Sequence, residues 1–369
     1  MSEKIKTVQI GLGGRGTLQL QAFLDNRDRF EITGICDIDE KRVRDAAEKQ
    51  GLPENCCFTD AEEMLQSVKP ELMSFSTMPN VRLSMVELGI KYGVKGIMME
   101  KPLANTVEEA RKILELCREH HIKTVVCQQH KYLPSFRKLK EILDSGQIGD
   151  VYQISSSCQA NASWMGTHYI DYMLWANGGR KVSAVAAHVH GSNFYGTDSH
   201  PAPAYVMGQM MMENGVRAFL ECGYLSKPHM DHKGKGYPDR MRTLEYWVDD
   251  RMTVYGTKGY VWADPNGRWG VFSPETGGGI LTGKEGSFMK NTSAMKEYTA
   301  DMAAWMNGEI PEHPCDIEIA YHGFEALNAM YISAMENERV DLPLALPLKR
   351  NVAEQMAAEL KQSDMKPFD

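Results

Sequence analysis

Apolar residues along the first third of the chain follow two alternating rhythms. Short, largely apolar runs occur at KTVQIGL (6–12), FEITGICD (30–37), ELMSFST (71–77), GIMMEKP (96–102) and IKTVVCQQH (122–130), and read as strands. Between them lie helical patterns at TLQLQAFLD (17–25), KRVRDAAEKQ (41–50), AEEMLQSV (61–68), VRLSMVELGIKYG (81–93) and VEEARKILELCREHH (107–121). This alternation implies a parallel sheet with helices on both faces, running to about residue 130. From about residue 150 strand-like stretches follow one another directly: VYQISSSCQA (151–160), KVSAVAAHVHGS (181–192), AYVMGQMMMENGVRAFLECGYL (204–225) and RTLEYWVDDRMTVYGTKGYVWAD (242–264). Asn214-Gly215 reads as a hairpin turn. Helical patterns interrupt at 164–179 and 292–308, a late helix spans 318–338, and a polar, helix-like tail begins near 346. The second part is therefore expected to be an α+β domain on a large, mostly antiparallel sheet.

A glycine motif sharpens the first part. Gly11-Leu-Gly13-Gly14-Arg15-Gly16 sits between the first strand and the first helix, the context that makes a GxGxxG informative. Gly11 permits a tight turn, Gly13 lets backbone approach a pyrophosphate, and Gly16 lets the helix pack on the strand. The helix N-terminus offers N–H groups to phosphates. Asp37 closes the second strand about twenty residues on, the position of the acidic residue that accepts ribose hydroxyls. A carboxylate there repels a 2′-phosphate, so NAD is expected over NADP, with Arg42 softening the preference. The predicted organisation is a Rossmann dinucleotide-binding domain over 1–130, an α+β substrate-binding and oligomerisation domain over 131–345, and a C-terminal tail over 346–369.

Composition narrows the class. The net charge of −8 over 369 residues argues against nucleic-acid binding, which wants a basic face, and points to a neutral substrate over a polyanion. No apolar run approaches the roughly 18 residues of a membrane span, and MSEKIKTVQIGLGG lacks the apolar core and small-residue cleavage site of a signal peptide. The expectation is a cytoplasmic protein. Its eight cysteines show no CxxC and no metal-ligand spacing, and read as reduced core thiols. The 24 methionines read as core filler.

Further along, Glu100-Lys101-Pro102 closes the strand GIMM, and several other short motifs follow in order. Thr77-Met78-Pro79-Asn80 resembles a Thr-Pro-Asn turn with one residue inserted. Lys131-Tyr132-Leu133-Pro134, His168-Tyr169-Ile170-Asp171 and Val340-Asp341-Leu342-Pro343 complete the set. Together, along almost the whole chain, they resemble the Gfo/Idh/MocA oxidoreductases, including the glycoside 3-dehydrogenase subgroup. The resemblance implies a small-molecule sugar, inositol or glycoside substrate and a homo-oligomer (dimer, tetramer or hexamer) built through the second domain's sheet. It makes Lys101 the catalytic lysine and His168 the catalytic histidine.

The residues suit that chemistry. Imidazole titrates near pH 6.5 and serves as a general base, so His168 is expected to take the hydroxyl proton. Lys101 is expected to donate a hydrogen bond to the developing alkoxide, with Glu100 holding Lys101 or the nicotinamide ribose. Thr77, Pro79, Asn80 and Gln128 join the glycine loop as cofactor contacts, and His130 joins Lys101 and His168 as a substrate contact. Many relatives carry an aspartate four residues before the histidine; here that residue is Trp164, which offers an apolar platform to a sugar ring or aglycone. Asp171, three residues after His168, is expected to orient it. Leu83 stands where the family often has histidine. His188 and His190 share a strand face, but no third metal ligand accompanies them, and no metal is expected. The segment 227–240, with His229, His232 and Tyr237, reads either as a loop over the site or as a plain solvated loop. Two alternatives remain beside the dehydrogenase: an NAD-dependent glycosidase using oxidation and elimination, and a non-enzymatic NAD-binding regulator.

Overall fold

A computed structural model describes residues 3–159, 162–193, 202–223, 250–286, 293–349 and 351–360. The predicted strand over 242–249 and the loop over 227–240 lie outside the described residues. The chain divides into two compact units: Met1–Asn105, Glu109–Gln129 and Ser293–Tyr321 form one, and Thr106–Glu108, His130–Thr292 and His322–Asp369 the other.

The first unit carries a six-stranded parallel sheet of β1 (Ile5–Ile10), β2 (Phe30–Cys36), β3 (Cys57–Phe58), β4 (Leu72–Phe75), β5 (Gly96–Met99) and β6 (Lys123–Val126), in the order β3-β2-β1-β4-β5-β6. This is the doubly wound order with its switch point beside β1. Helices α1 (Gly14–Leu24), α2 (Glu40–Gln50), α3 (Ala61–Val68), α4 (Arg82–Lys91) and α5 (Val107–Glu119) make the crossovers. Asp39 caps α2 and Asp60 caps α3, each accepting a backbone N–H of the first turn. The register pairs Ile10 with Cys36 and with Phe75, Phe75 with Met99, and Met99 with Val126. The strands therefore end level. The residues that follow them (Gly11, Asp37, Ser76, Glu100 and Cys127) emerge along one edge, where doubly wound sheets hold ligands.

The boundary at residue 130 needs one correction. The helix read at 292–308, assigned from sequence to the second domain, is α8 (Ser293–Met306), and it belongs to the first unit. Asn26 Nδ2 donates to Lys296 O at 2.8 Å and Thr299 Oγ1 at 2.7 Å, all in the first unit. The Met302 and Met306 side chains fill the space a Cβ on Gly96 would need. Beyond α8, Val126 N donates to Cys315 O at 3.1 Å, so the returning chain lies beside β6.

The second unit is built on nine strands among the described residues: β7 (Val151–Cys158), β8 (Val182–Asn193), β9 (Ala202–Met212), β10 (Arg217–Gly223), β11 (Arg251–Gly256), β12 (Gly259–Ala263), β13 (Arg268–Phe272), β14 (Leu281–Lys284) and β15 (Val340–Asp341). All neighbours pair antiparallel except β7 with β10. The β9–β10 hairpin turns at Asn214-Gly215, with Gly215 at φ +82°, as the sequence predicts. Helix α6 (Pro134–Asp144) packs on β12 and β13, and α7 (Thr167–Ala176) contacts β7, β10 and β11. A π-helical turn over Ala162–Gly166 leads into α7. Two further helices are α9 (Ile317–Glu336) and, in the predicted tail, α10 (Val352–Glu359). Among the described residues, no helix is long and apolar enough to cross a membrane.

Candidate functional site

The glycine loop of the first unit has the shape its motif requires. Gly11 adopts φ +80°, and a Cβ there would lie 2.8 Å from Ser76 O. A Cβ on Gly16 would lie 1.8 Å from Gly11 O, so only glycine lets α1 start so close to β1. Gly14, by contrast, would meet nothing within 4 Å, and Gly13 only Arg42 Nη1 at 4.0 Å. The open side lies over the first turn of α1, whose N-cap Gly13 supplies no side-chain hydrogen bond. A diphosphate suits that cradle, because it needs backbone N–H donors and no side-chain bulk.

At the end of β2, Asp37 is buried and held rigidly. Its Oδ2 accepts Leu12 N–H at 2.7 Å and its Oδ1 accepts Asp39 N–H at 3.0 Å. Arg42 Nη1 stands 3.8 Å from Asp37 Oδ2 on a half-exposed side chain. These residues fit the adenosine ribose of NAD.

Arg15 reaches from the glycine loop to the far strands. Its Nε donates to Glu100 Oε1 at 3.1 Å and its Nη2 to Cys127 Sγ at 3.5 Å, while Gln19 Nε2 also donates to Cys127 Sγ at 3.4 Å. Glu100 thus holds Arg15, a partner the sequence reading did not name. Burial pushes the Cys127 thiol well up, so it acts as a neutral acceptor. Lys101 keeps part of its surface open, yet protein surrounds it densely enough that burial lowers its ammonium to about 8. Glu100 opposes the shift, while Arg15 and Arg82 add to it.

Arg82, unremarked in the sequence, lies almost fully buried at the start of α4. Its Nη2 donates to Thr77 O at 3.2 Å and Lys101 O at 3.1 Å, joining the turn after β4 to the turn after β5. Burial lowers its guanidinium to about 10. Pro79 is buried and Asn80 exposed in the turn Pro79–Val81. Gln128 follows β6, buried, and its carbonyl accepts Cys315 Sγ–H at 3.5 Å.

The second unit gathers another cluster. His130 and His168 are both buried and stack with centroids 5.3 Å apart and planes 9° from parallel. His168 Nδ1 lies 2.9 Å from the Tyr172 hydroxyl. Asp171 does not take that position: Lys131 Nζ lies 2.5 Å from Asp171 Oδ1, with both side chains buried. Burial raises the Asp171 carboxyl to about 6, against the opposing pull of Lys131. Trp164 lies in the π-helical turn, but its side chain is outside what the structure describes. His188 and His190 are exposed on β8, opposite Met207 and Tyr205 of β9. His188 lines a concavity of about 550 Å³ with Met207, Phe219, Arg251 and Tyr255. Among the described residues, no three His, Cys, Asp or Glu side chains group as metal ligands.

The family model described as "Oxidoreductase family, NAD-binding Rossmann fold" matches residues 5–128. The GFO/IDH/MocA C-terminal domain matches residues 162–262. The chain belongs to the GFO/IDH/MocA oxidoreductase family.

Within curated proteins, this GFO/IDH/MocA chain is similar to D-apiose dehydrogenase of Paraburkholderia graminis, 25% identical over 242 residues, covering 61% of this chain and 62% of the relative. It is also similar to D-xylose 1-dehydrogenase [NADP(+)] of Haloarcula marismortui, 25% identical over 147 residues, covering 40% and 41%. The matches thus span less than two thirds of either relative's length. Among solved structures, an oxidoreductase from Agrobacterium radiobacter in complex with NAD+, L-tartaric acid and magnesium superposes with a TM-score of 0.73 at 17% identity, covering 92% of this chain and 98% of that one. At that identity the likeness speaks for the fold.

Proposed function

We propose that this protein is an NAD-dependent dehydrogenase that oxidises a secondary hydroxyl of a neutral sugar, polyol or glycoside. One observation supports this most: burial, helped by Arg15 and Arg82 and opposed by Glu100, brings the Lys101 ammonium to about 8, at the strand end where a dinucleotide fold places its chemistry. The residues after β1, β2, β4, β5 and β6 would hold NAD, which when bound supplies the hydride acceptor. In this reading Lys101 donates a hydrogen bond to the reacting oxygen and steadies its developing negative charge. His168 accepts the hydroxyl proton. His130, stacked on His168, and Trp164 are substrate contacts in the same reading. With no carboxylate one turn before His168, the candidates extend to the 3-hydroxyl of glucosides, giving 3-keto-glycosides.

A screen by NADH fluorescence over free sugars, inositols and aryl or C-glycosides tests the proposal. The expected result is NADH formation with one of these groups, abolished in His168→Ala. Turnover that survives in His168→Ala would remove His168 from the reaction. Nitrophenol release without net NADH would instead mark a glycosidase.

Asp37 carries a separate prediction. Its carboxylate is pinned by two backbone N–H groups and cannot swing away from a 2′-phosphate. Asp37→Ser is expected to shift the NADP-to-NAD ratio of kcat/KM by about tenfold or more towards NADP, with Arg42 taking up the phosphate. An unchanged ratio would mean that Asp37 does not face the ribose.

The open face of the nine-stranded sheet supports a homo-oligomer. Met207, Met211 and Phe219 are 48%, 43% and 36% exposed there. The register pairs Phe219 with Gln209, between Met207 and Met211, so all three share one face. A second copy of the chain would cover it.

A further inference from the structure

His168 and Tyr172 stand one helical turn apart on α7, so their side chains share a face. Both are buried, and the Tyr172 hydroxyl lies 2.9 Å from His168 Nδ1. The phenol ring is fixed by its own neighbours, Phe136 at 5.3 Å and Tyr169 at 5.4 Å between centroids. His130 stacks on the imidazole and also meets the Tyr172 ring at 5.9 Å. The nearest carboxylate in sequence, Asp171, is committed to Lys131. A neutral phenol therefore partners this imidazole nitrogen.

A neutral imidazole carries one ring proton, and the hydrogen bond at one nitrogen decides where it sits. If Nδ1 holds the proton, Nε2 has the lone pair of a base. If the phenol donates to Nδ1 instead, Nε2 carries the proton and has no lone pair with which to accept another. We propose that Tyr172 is a positioning residue that selects the reactive tautomer of His168: its oxygen accepts Nδ1–H, and proton exchange with the substrate hydroxyl occurs at Nε2. This rests on the reading of His168 as the base. A phenol oxygen stabilises an imidazolium less than a carboxylate does.

The test uses the full chain labelled with 15N-histidine, the His168 ring signals being identified by their loss in His168→Gln. The wild type is expected to show protonated Nδ1 and bare Nε2, and Tyr172→Phe to lose that bias. Phenylalanine keeps the ring packing, so kcat is expected to fall by about tenfold or more with KM within about twofold. The control is Tyr169→Phe. The buried Tyr169 hydroxyl has no hydrogen-bond partner among the described residues, and kcat there should stay within about twofold of wild type. A wild-type spectrum with protonated Nε2, an unchanged tautomer in Tyr172→Phe, or equal losses in both tyrosine variants would each overturn the proposal. Should Tyr172→Phe fail to fold, the wild-type spectrum decides alone. Full turnover in His168→Gln would sink the base assignment instead, while the tautomer could still be read from the spectrum.

Discussion

Lys101→Ala is expected to lower kcat by about three orders of magnitude while the dissociation constant for NADH, read by fluorescence titration, changes by no more than a few-fold. In the proposed reading the glycine cradle, Asp37 and the turn at Pro79 would hold the dinucleotide without the lysine amine, so cofactor affinity should be spared. What would be lost, in that reading, is a hydrogen-bond donor to the reacting oxygen. An ordinary lysine near 10.5 holds its proton tightly, whereas burial brings this one to about 8. The protonated form is the hydrogen-bond donor, so kcat/KM should fall as pH rises through about 8. In Lys101→Arg, which stays charged, residual activity should lack that alkaline limb. Folding gives an independent check. A folded pKa below the unfolded one means that the buried charge opposes folding below pH 8, so Lys101→Met should melt no lower than wild type at pH 7. A near-normal kcat in Lys101→Ala would end the assignment, and a sharp drop in melting temperature would recast Lys101 as structural.

Much of this site is legible in the sequence because its parts are local. Gly11, Gly16 and Asp37 act through short backbone contacts within one strand-turn-helix unit and its neighbour, and spacing reports such contacts well. Spacing fails where several residues share a helical face. Asp171 and Tyr172, three and four positions after His168, both qualify as its partner, and only the fold shows that Lys131 draws Asp171 away. Charge matching favours the aspartate on paper; burial beside a cation decides otherwise. The roles of Arg82 and Cys127 are not legible in the sequence because their partners, Lys101 O in the turn after β5 and Arg15 in the first turn of α1, lie far from them along the chain. The amphipathic pattern at 293–306 predicts a helix correctly but cannot say which sheet it covers. Asn26 and Gly96 answer that, since they lie in the first unit.

The pair of Lys131 and Asp171 should produce the largest effect on stability. Lys131→Met leaves a buried carboxylate without its cation, and unfolding free energy at pH 7 is expected to fall by about 3–5 kcal/mol. The pH dependence follows from the direction of the Asp171 shift. Burial already holds its folded pKa at about 6, above the ordinary 3.8, and removing Lys131 removes the one influence pulling it down. A raised folded pKa contributes stability that is fully present below about 3.8 and lost as pH rises through the folded value. The deficit of Lys131→Met should therefore shrink as pH falls towards about 6, where the stranded carboxyl, its folded pKa now above 6, has taken up a proton, and level off below that. Lys131→Met combined with Asp171→Asn should recover to within about 1–2 kcal/mol of wild type and lose this pH dependence, because neither buried charge remains. Denaturant unfolding at pH 5 and pH 7 separates these outcomes. Additive losses in the double variant would mean that the two side chains do not act as a pair. By the general rule for buried ion pairs, this one is expected to add little net stability over a neutral core. Lys131 opens the turn before α6, and Asp171 lies on α7 three residues from His168. As a hypothesis, the ion pair trades stability for orientation, fixing the helix that presents the base. The double variant would then fold well yet lose kcat, whereas full activity in it would leave the pair without that role.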